Sequence, residues 1–336
     1  MDKSLRIVYM GTPDFAVEAL SKLVEGGYNI VGVITMPDKP VGRHQTELQQ
    51  SPVKKYALEH GLKVLQPEKL KDEAFLEELR SLQADLQIVV AFRMLPEVVW
   101  AMPRFGTFNL HAALLPQYRG AAPINWAIIN GDTETGITTF FLDHEIDTGK
   151  VIQRVKVPIL DTDNAEDIHD KMMHLGASLV VETVDNIINN RVNPIPQSEL
   201  TTDEPLRPAP KIFKETCNIN WNLGVKKVYD FIRGLSPYPA AWTTLVHGGK
   251  RQVVKIYASH KEFCEQTVET GKVVSDGKTF FKIALQDGFL HLDTIQLAGK
   301  KRMEIVDFLR GFHLSGDERV EACPPFVVSS NSIAIT

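Results

Sequence analysis

Leu5-Arg6-Ile7-Val8-Tyr9-Met10, followed by Gly11-Thr12-Pro13-Asp14, is a short apolar run closed by a turn. A run of this length bounded by glycine and proline reads as a buried parallel strand. The turn delivers the chain into a helix starting near Asp14, whose carboxylate is suited to cap it. One glycine is not a G-x-G-x-x-G fingerprint, so a dinucleotide such as NAD is not indicated. The pattern then repeats, with Asn29 to Thr35 as a second strand, Ala84 to Phe92 as a later one, and helical stretches between. Strands alternating with helices imply an α/β fold, a doubly wound and mostly parallel Rossmann-like sheet with helices on both faces. Ligands of such sheets lie beyond the carboxyl ends of the strands. Phe92, Asn109 and the loop after His111 fall there.

Gly106 to His111 reads as a further strand, and alternation of side chains puts Asn109 and His111 on one face. A run with Pro116 and Gly120 turns the chain away into a helix over Pro123 to Ile129. A neighbouring strand, Gly136 to Asp143, leads to Asp147-Thr148-Gly149. A carboxylate near His111 would hold the ring's orientation and favour its donating a hydrogen bond at neutral pH. Asn109 adds a neutral N–H donor. The pair suits an oxyanion formed when a nucleophile attacks a carbonyl, with no serine or cysteine nucleophile required. The bland alternative is a buried structural polar network.

The segment Asn109-x-His111-x5-Gln117-x-Arg119-Gly120-Ala121-Ala122-Pro123, preceded by Val89-Val90-Ala91-Phe92 and followed by Asp147-Thr148-Gly149, resembles the folate-dependent formyltransferases. Further matches stand at Gly11-Thr12-Pro13-Asp14-Phe15, Gln49-Gln50-Ser51-Pro52-Val53-Lys54, Gln66-Pro67-Glu68-Lys69-Leu70, Ala209-Pro210-Lys211-Ile212 and Arg233 to Trp242, so the likeness runs from Leu5 to about Val320. The resemblance implies Asn109, His111 and Asp147 as catalytic residues, 10-formyltetrahydrofolate as formyl donor, and a folate site lined by Phe92, Ala113, Leu114, Leu115 and Pro116. It implies no metal. Within the family the likeness is greatest to members that formylate the α-amine of methionyl initiator tRNA. That branch implies tRNA contacts at Arg43, on a long polar loop from Pro37 to Leu48, and at Lys39 and Lys211. The chain departs from the family's pattern at His44-Gln45-Thr46-Glu47, at Phe92-Arg93 and at Ala113. Arg93 has two open placements, solvent or the glutamyl tail of a folate. A cis Leu115–Pro116 bond is a hypothesis the turn raises.

Asp163 to Asn190 has helical periodicity, with Ile168, Met172, Leu175 and Leu179 recurring on one side. His169 and His174 lack the one-turn spacing of a helical metal pair, and His144-Glu145 lacks the second histidine of H-E-x-x-H, so no metal is assigned. Arg191 to Pro210 is polar and proline-rich and reads as a semi-rigid linker. Beyond it, strand-like runs at Gln252 to Tyr257, Thr279 to Ala284 and Phe289 to Gln296 are separated by Gly248-Gly249, Asp276-Gly277 and Asp287-Gly288. They suggest a small antiparallel barrel, and the resemblance implies one like an OB-fold. The expected division is a catalytic domain over 1–190, a linker over 191–208, a C-terminal OB-like tRNA-binding domain over 209–325 and a tail over 326–336.

Charge divides along the same line. Residues 1–204 carry 19 Lys and Arg against 29 Asp and Glu, whereas residues 205–336 carry 18 against 13, balances of −10 and +5. A basic second half suits a polyanion, although ordinary surface charge gives the same balance. The three cysteines are far apart and odd in number, which fits a reducing compartment. There is no signal-peptide layout and no apolar run of spanning length, so a cytoplasmic protein without membrane contact, and a monomer, is expected. Two rivals stay open: a folate-dependent formyltransferase acting on an amino sugar or glycinamide nucleotide, and a non-catalytic nucleic-acid-binding module.

Overall fold

The computed structural model describes residues 3–41, 47–200 and 204–321. They form two compact units: the first comprises Met1–Pro123, Glu134–Pro158 and Ile168–Pro210, and the second Ile124–Thr133, Ile159–Asp167 and Lys211–Thr336.

The first unit begins with β1 (Ile7–Gly11), α1 (Asp14–Glu25), β2 (Ile30–Ile34), β3 (Lys39–Val41), β4 (Glu47–Gln49), α2 (Pro52–Glu59), β5 (Val64–Leu65) and α3 (Glu73–Ser81). It continues through β6 (Leu86–Val90), α4 (Glu97–Trp100) and β7 (Thr107–His111). After α5 (Pro123–Ile129), which belongs to the second unit from Ile124 onward, come β8 (Glu134–Phe141), β9 (Val151–Pro158) and α6 (Ala165–Ile188). The main sheet has the order β5-β2-β1-β6-β7-β8-β9. Strands β5 to β7 are parallel, and β8 and β9 are antiparallel additions at one edge. The chain therefore starts in the middle of the sheet and winds outward in both directions, leaving a switch point between β1 and β6. Both strands are buried throughout, as expected for runs covered on both faces. Leu76 and Leu79 of α3 and Val99 of α4 pack with Val8, Met10, Ile34 and Val89 in one apolar cluster. Across the sheet, α6 approaches β7 so closely that a Cβ on Gly176 would meet Leu110 Cδ2 at 2.8 Å.

Three local expectations change. Pro13, not Asp14, is the N-cap of α1; Asp14 lies in the first turn, where its charge still complements the helix dipole. The polar segment after β2 is a two-stranded ribbon rather than an irregular loop, with Lys39 opposite Gln49 and Val41 opposite Glu47. Arg43 lies outside the described residues. The ribbon's base is tied by Asp38, whose carboxylate accepts from Lys54 Nζ at 2.6 Å and Gln66 Nε2 at 2.8 Å. Lys54 and Gln66 belong to two of the quoted family segments. Finally, the proline-rich run after α6 is docked on the first unit. Ile195 bridges Val151 and Ala209 bridges Gly120, while Gln197 is buried.

The second unit carries α7 (Val225–Gly234), β10 (Ala241–His247), β11 (Lys250–Phe263), β12 (Val273–Ser275), β13 (Phe281–Leu285), β14 (Gly288–Leu297), β15 (Met303–Glu304), α8 (Ile305–Arg310) and β16 (Arg319–Val320). The antiparallel order β12-β13-β14-β11-β10-β16 is closed by the Lys272–Arg319 bridge, and Val320 N donates to Gly271 O at 2.8 Å. This is the expected small barrel; among the described residues it also has a strand over 241–247 and a helix over 225–234 that the sequence reading omitted. Trp221, Val225, Val228 and Ile232 fill its apolar interior together with the inward residues of the strands.

Arg233 opens the Pro- and aromatic-rich stretch, yet its role is internal. It is 6% exposed; Nε donates to Asp230 Oδ1 at 2.8 Å and Nη1 to the carbonyls of Leu160 and Asp163 at 3.0 and 2.7 Å. Removing one member of a buried ion pair leaves the other charge uncompensated. Arg233→Ala is therefore expected to cost about 3–5 kcal/mol of stability, measured by chemical denaturation of the full chain. An unchanged midpoint would contradict this role.

Candidate active site

Strand β7 runs Thr107-Phe108-Asn109-Leu110-His111, between β6 on one side and β8 on the other. Phe108 and Leu110 point into the core, so Asn109 and His111 share the opposite direction. His111 is buried and Asn109 half-buried. The His111 Nε2 lies 2.9 Å from the Tyr118 carbonyl oxygen. A carbonyl only accepts, so Nε2 carries the proton. Nδ1 faces Asp147 Oδ2 at 3.8 Å, and the ring meets Phe140 edge-on at a centroid distance of 6.4 Å. The form of the ring that can donate from Nδ1 is thus doubly protonated, and the facing carboxylate matches its charge.

Asp147 reaches this position from a loop, not from a strand end. Strand β8 stops at Phe141, and Asp147 takes a left-handed backbone, φ 56°. Its Oδ2 accepts from Gly120 N–H at 2.9 Å. Two glycines permit the crossing of chains. A Cβ on Gly149 would lie 1.7 Å from the Phe141 carbonyl oxygen, and one on Gly120 (φ 127°) 2.4 Å from the Ala209 carbonyl oxygen. The structure thus brings Asn109, His111 and Asp147 to one locality.

The residues assigned to folate divide. Ala91 and Phe92 follow the end of β6, whose last residue, Val90, pairs with Leu110, the residue before His111. The Phe92 ring is half-buried against the β6 core cluster. Ala113, Leu115 and Pro116 are buried, and Leu114 is half-buried. Much of this segment's backbone is engaged within the protein: Leu115 N–H donates to Thr138 Oγ1 at 3.1 Å, and Thr138 Oγ1 donates to the Ala113 carbonyl at 2.6 Å. Arg154 Nη1 donates to the Leu115 carbonyl at 3.1 Å. The Leu115–Pro116 bond is cis. Arg93 is half-buried rather than extended into solvent. It donates to the carbonyls of Glu68, at 2.7 Å, and Pro67, holding the loop that precedes Leu70. Burial lowers its pKa below that of a free guanidinium.

At the switch point Gly11 is needed because a Cβ there would lie 2.6 Å from Ala16 Cβ and 2.9 Å from the Val90 carbonyl oxygen. Next to it, Thr12 Oγ1 is buried without a hydrogen-bond partner among the described residues. Such an orphan at the strand ends is what a site shaped for a polar ligand leaves behind. Sequence reasoning missed both Thr12 and Gln197; the first belonged to a quoted family segment, whereas the second gave no local signal. Lys39 and Lys211 are exposed, and Lys211 Nζ sits 5.5 Å from the Phe213 ring centroid. Among the described residues, no helix is long and apolar enough to cross a membrane.

A mostly parallel sheet whose switch point adjoins an amide, an imidazole and a carboxylate is an arrangement suited to acyl transfer by direct attack. Comparison with known proteins agrees: the formyl transferase family model matches residues 5–184, and the formyl transferase C-terminal domain model matches residues 211–313. The chain belongs to the formyl transferase family. It is 66% identical over 321 residues to the methionyl-tRNA formyltransferase of Bacteroides fragilis, covering 95% of this chain and 99% of that protein. It is 70% identical to the one from Phocaeicola vulgatus, with the same coverage. Among solved structures it is similar in fold to WlaRD, a sugar 3N-formyl transferase solved with dTDP and 5-N-formyl-THF. That similarity has a TM-score of 0.63 at 20% identity, over 88% of this chain and 99% of that one.

Proposed function

We propose that the chain transfers the formyl group of 10-formyltetrahydrofolate to the α-amine of methionyl initiator tRNA. The observation that carries the chemistry is the convergence of Asn109, His111 and Asp147 beside the β1–β6 switch point. The acceptor reading is supported by relatives at 66–70% identity that are methionyl-tRNA formyltransferases, which weighs against the sugar and glycinamide alternatives.

The residues fit a folate: Phe92 supplies a flat apolar wall, Leu114 an accessible apolar neighbour, and Thr12 an unsatisfied hydroxyl. As donor substrate, 10-formyltetrahydrofolate supplies an activated formyl carbonyl. The Asn109 amide and His111 Nδ1–H donate to the carbonyl oxygen as negative charge builds on it during attack by the neutral amine. Asp147 holds the ring charge and relays, through water, the proton released by the amine to N10, which leaves as tetrahydrofolate when the tetrahedral intermediate collapses and its C–N10 bond breaks. Rate then comes from holding two substrates together and from donors aimed before the reaction begins.

Lys39 of the β3–β4 ribbon, Arg43 in the sequence after it, and Lys211 of the barrel unit bind the tRNA; the chain works as a cytoplasmic monomer. Because Asp38 anchors the ribbon, Asp38→Asn is expected to raise KM for tRNA about fivefold with kcat unchanged, by steady-state kinetics. Hydrogen bonds first from Lys54 and then from Gln66 lower the Asp38 pKa. The anchor is therefore complete above the ordinary carboxylate range and is lost as pH falls through the lower folded value.

The decisive test is transfer of labelled formyl from 10-formyltetrahydrofolate, with initiator Met-tRNA, elongator Met-tRNA, free methionine and an amino sugar nucleotide as parallel acceptors. Transfer to the initiator is expected. Transfer to the sugar alone would keep the site chemistry and overturn the acceptor.

A further inference from the structure

Gln197 sits in the run that reads from sequence as a polar, proline-rich linker, and it is 3% exposed. Both ends of its amide are committed. Nε2 donates to the carbonyl of Asp147 at 2.7 Å and to that of Gly149 at 2.9 Å. Oε1 accepts from Arg119 Nε at 3.0 Å and Nη2 at 2.7 Å. One side chain thereby joins the loop that carries Asp147 to the turn that carries Gly120, whose N–H donates to the Asp147 carboxylate at 2.9 Å. Asp147 is bracketed from both directions, at its own carbonyl and at its carboxylate.

Asp147 needs such a bracket. Its left-handed backbone is disfavoured for a residue with a side chain and persists only where the surroundings impose it. The neighbouring residues on its loop, from Asp143 to Ile146, are exposed. Thr148 Oγ1 donates to the Glu145 carbonyl at 3.0 Å, a bond internal to the loop. The carboxylate stands 3.8 Å from His111 Nδ1, so a small displacement changes what the ring faces.

We infer that Gln197 is a positioning residue for formyl transfer: its amide, locked by Arg119, holds the Asp147 loop so that the carboxylate faces His111. The inference rests on the proposed chemistry at Asn109, His111 and Asp147, and it is independent of which amine accepts the formyl group. It also gives the docked linker a role in the reaction, since it brings a residue 50 positions away in sequence to the Asp147 backbone. Leucine at 197 would retain the bulk and lose every one of these bonds. Glutamate would retain the acceptor for Arg119 and, when ionised, lose the donor to the two carbonyls.

The experiment is a double-mutant cycle with Gln197→Leu and Asp147→Asn in the full chain, reading kcat and the KM of each substrate. It uses whichever acceptor the wild type formylates, so failure of the tRNA reading and failure of this one are told apart. Gln197→Leu is expected to lower kcat about 30-fold, in the range for groups that orient a catalytic neighbour, with KM for folate nearly unchanged. In the Asp147→Asn background the same change is expected to matter less than threefold, because a lost carboxylate cannot be misplaced. A purely structural role would lower activity equally in both backgrounds, and that result, or an unchanged kcat, overturns the inference. Should Gln197→Leu fail to fold, Gln197→Glu serves: it keeps the Arg119 pairing and is expected to show the same kcat loss and the same non-additivity.

Discussion

His111→Ala is expected to lower kcat by about 10²- to 10³-fold or more, with tRNA affinity changed little. A single preorganised donor to a developing oxyanion is worth about 3–4 kcal/mol. The substitution removes Nδ1–H from the site together with the 2.9 Å hydrogen bond from Nε2 to the Tyr118 carbonyl. Removing one partner of a buried hydrogen bond costs about 1–3 kcal/mol of stability, less than a typical domain's reserve, so the fold should survive and the defect should lie in kcat. Asn109→Ala is expected to fall in the same range. Because both groups address one oxygen, the double variant should fall short of the product of the singles. Single-turnover transfer with saturating donor, alongside filter binding of the tRNA, separates the two quantities. Full turnover by His111→Ala would sink the mechanism.

Gly149→Ala should be nearly as damaging, for a steric reason. Its added methyl would lie 1.7 Å from the Phe141 carbonyl oxygen and 2.9 Å from the carbonyl carbon, both rigid backbone atoms at the end of β8. Neither can yield as the tip of a flexible side chain would, so the loop itself must move by more than an ångström. The carbonyl of Gly149 would then leave Gln197, and Asp147, two residues earlier, would leave His111. A displacement of about 1 Å at a reacting group is enough to cost about 10²-fold in rate, and we expect at least that loss in kcat together with a lowered melting temperature. Gly311→Ala is the control, since nothing lies within 4 Å of a Cβ there and its φ of −112° is ordinary. Thermal scanning beside the transfer assay would show whether rate and stability fall together at 149 and neither changes at 311.

Parts of the molecule were legible because they depend on short-range order. The buried strand at residues 7–11, the turn at Gly11 and the shared direction of Asn109 and His111 follow from patterns a few residues long. The helix over 123–129 followed from Pro116 and Gly120 ahead of it and Pro123 at its start. The barrel's turns at Gly248-Gly249 and Gly277 were marked by the residues that accept left-handed backbone, and each of those glycines has positive φ. Strand ends were less exact, because pairing partners and not composition terminate a strand; β8 stops at Phe141 where the chain turns to let Gly149 pass.

What the sequence alone determined was the alternation of strands and helices in the first unit and which residues of β7 share a face, since strand alternation needs no knowledge of the rest of the chain. Only the tertiary structure decided that Asp147 lies 3.8 Å from His111, that Arg93 holds the 67–68 backbone, and that Gln197 closes on Asp147 and Gly149. Those contacts join residues 25 to 50 positions apart. Their geometry comes from how closely packed backbones cross and from where buried polar groups find partners, and no local pattern records either.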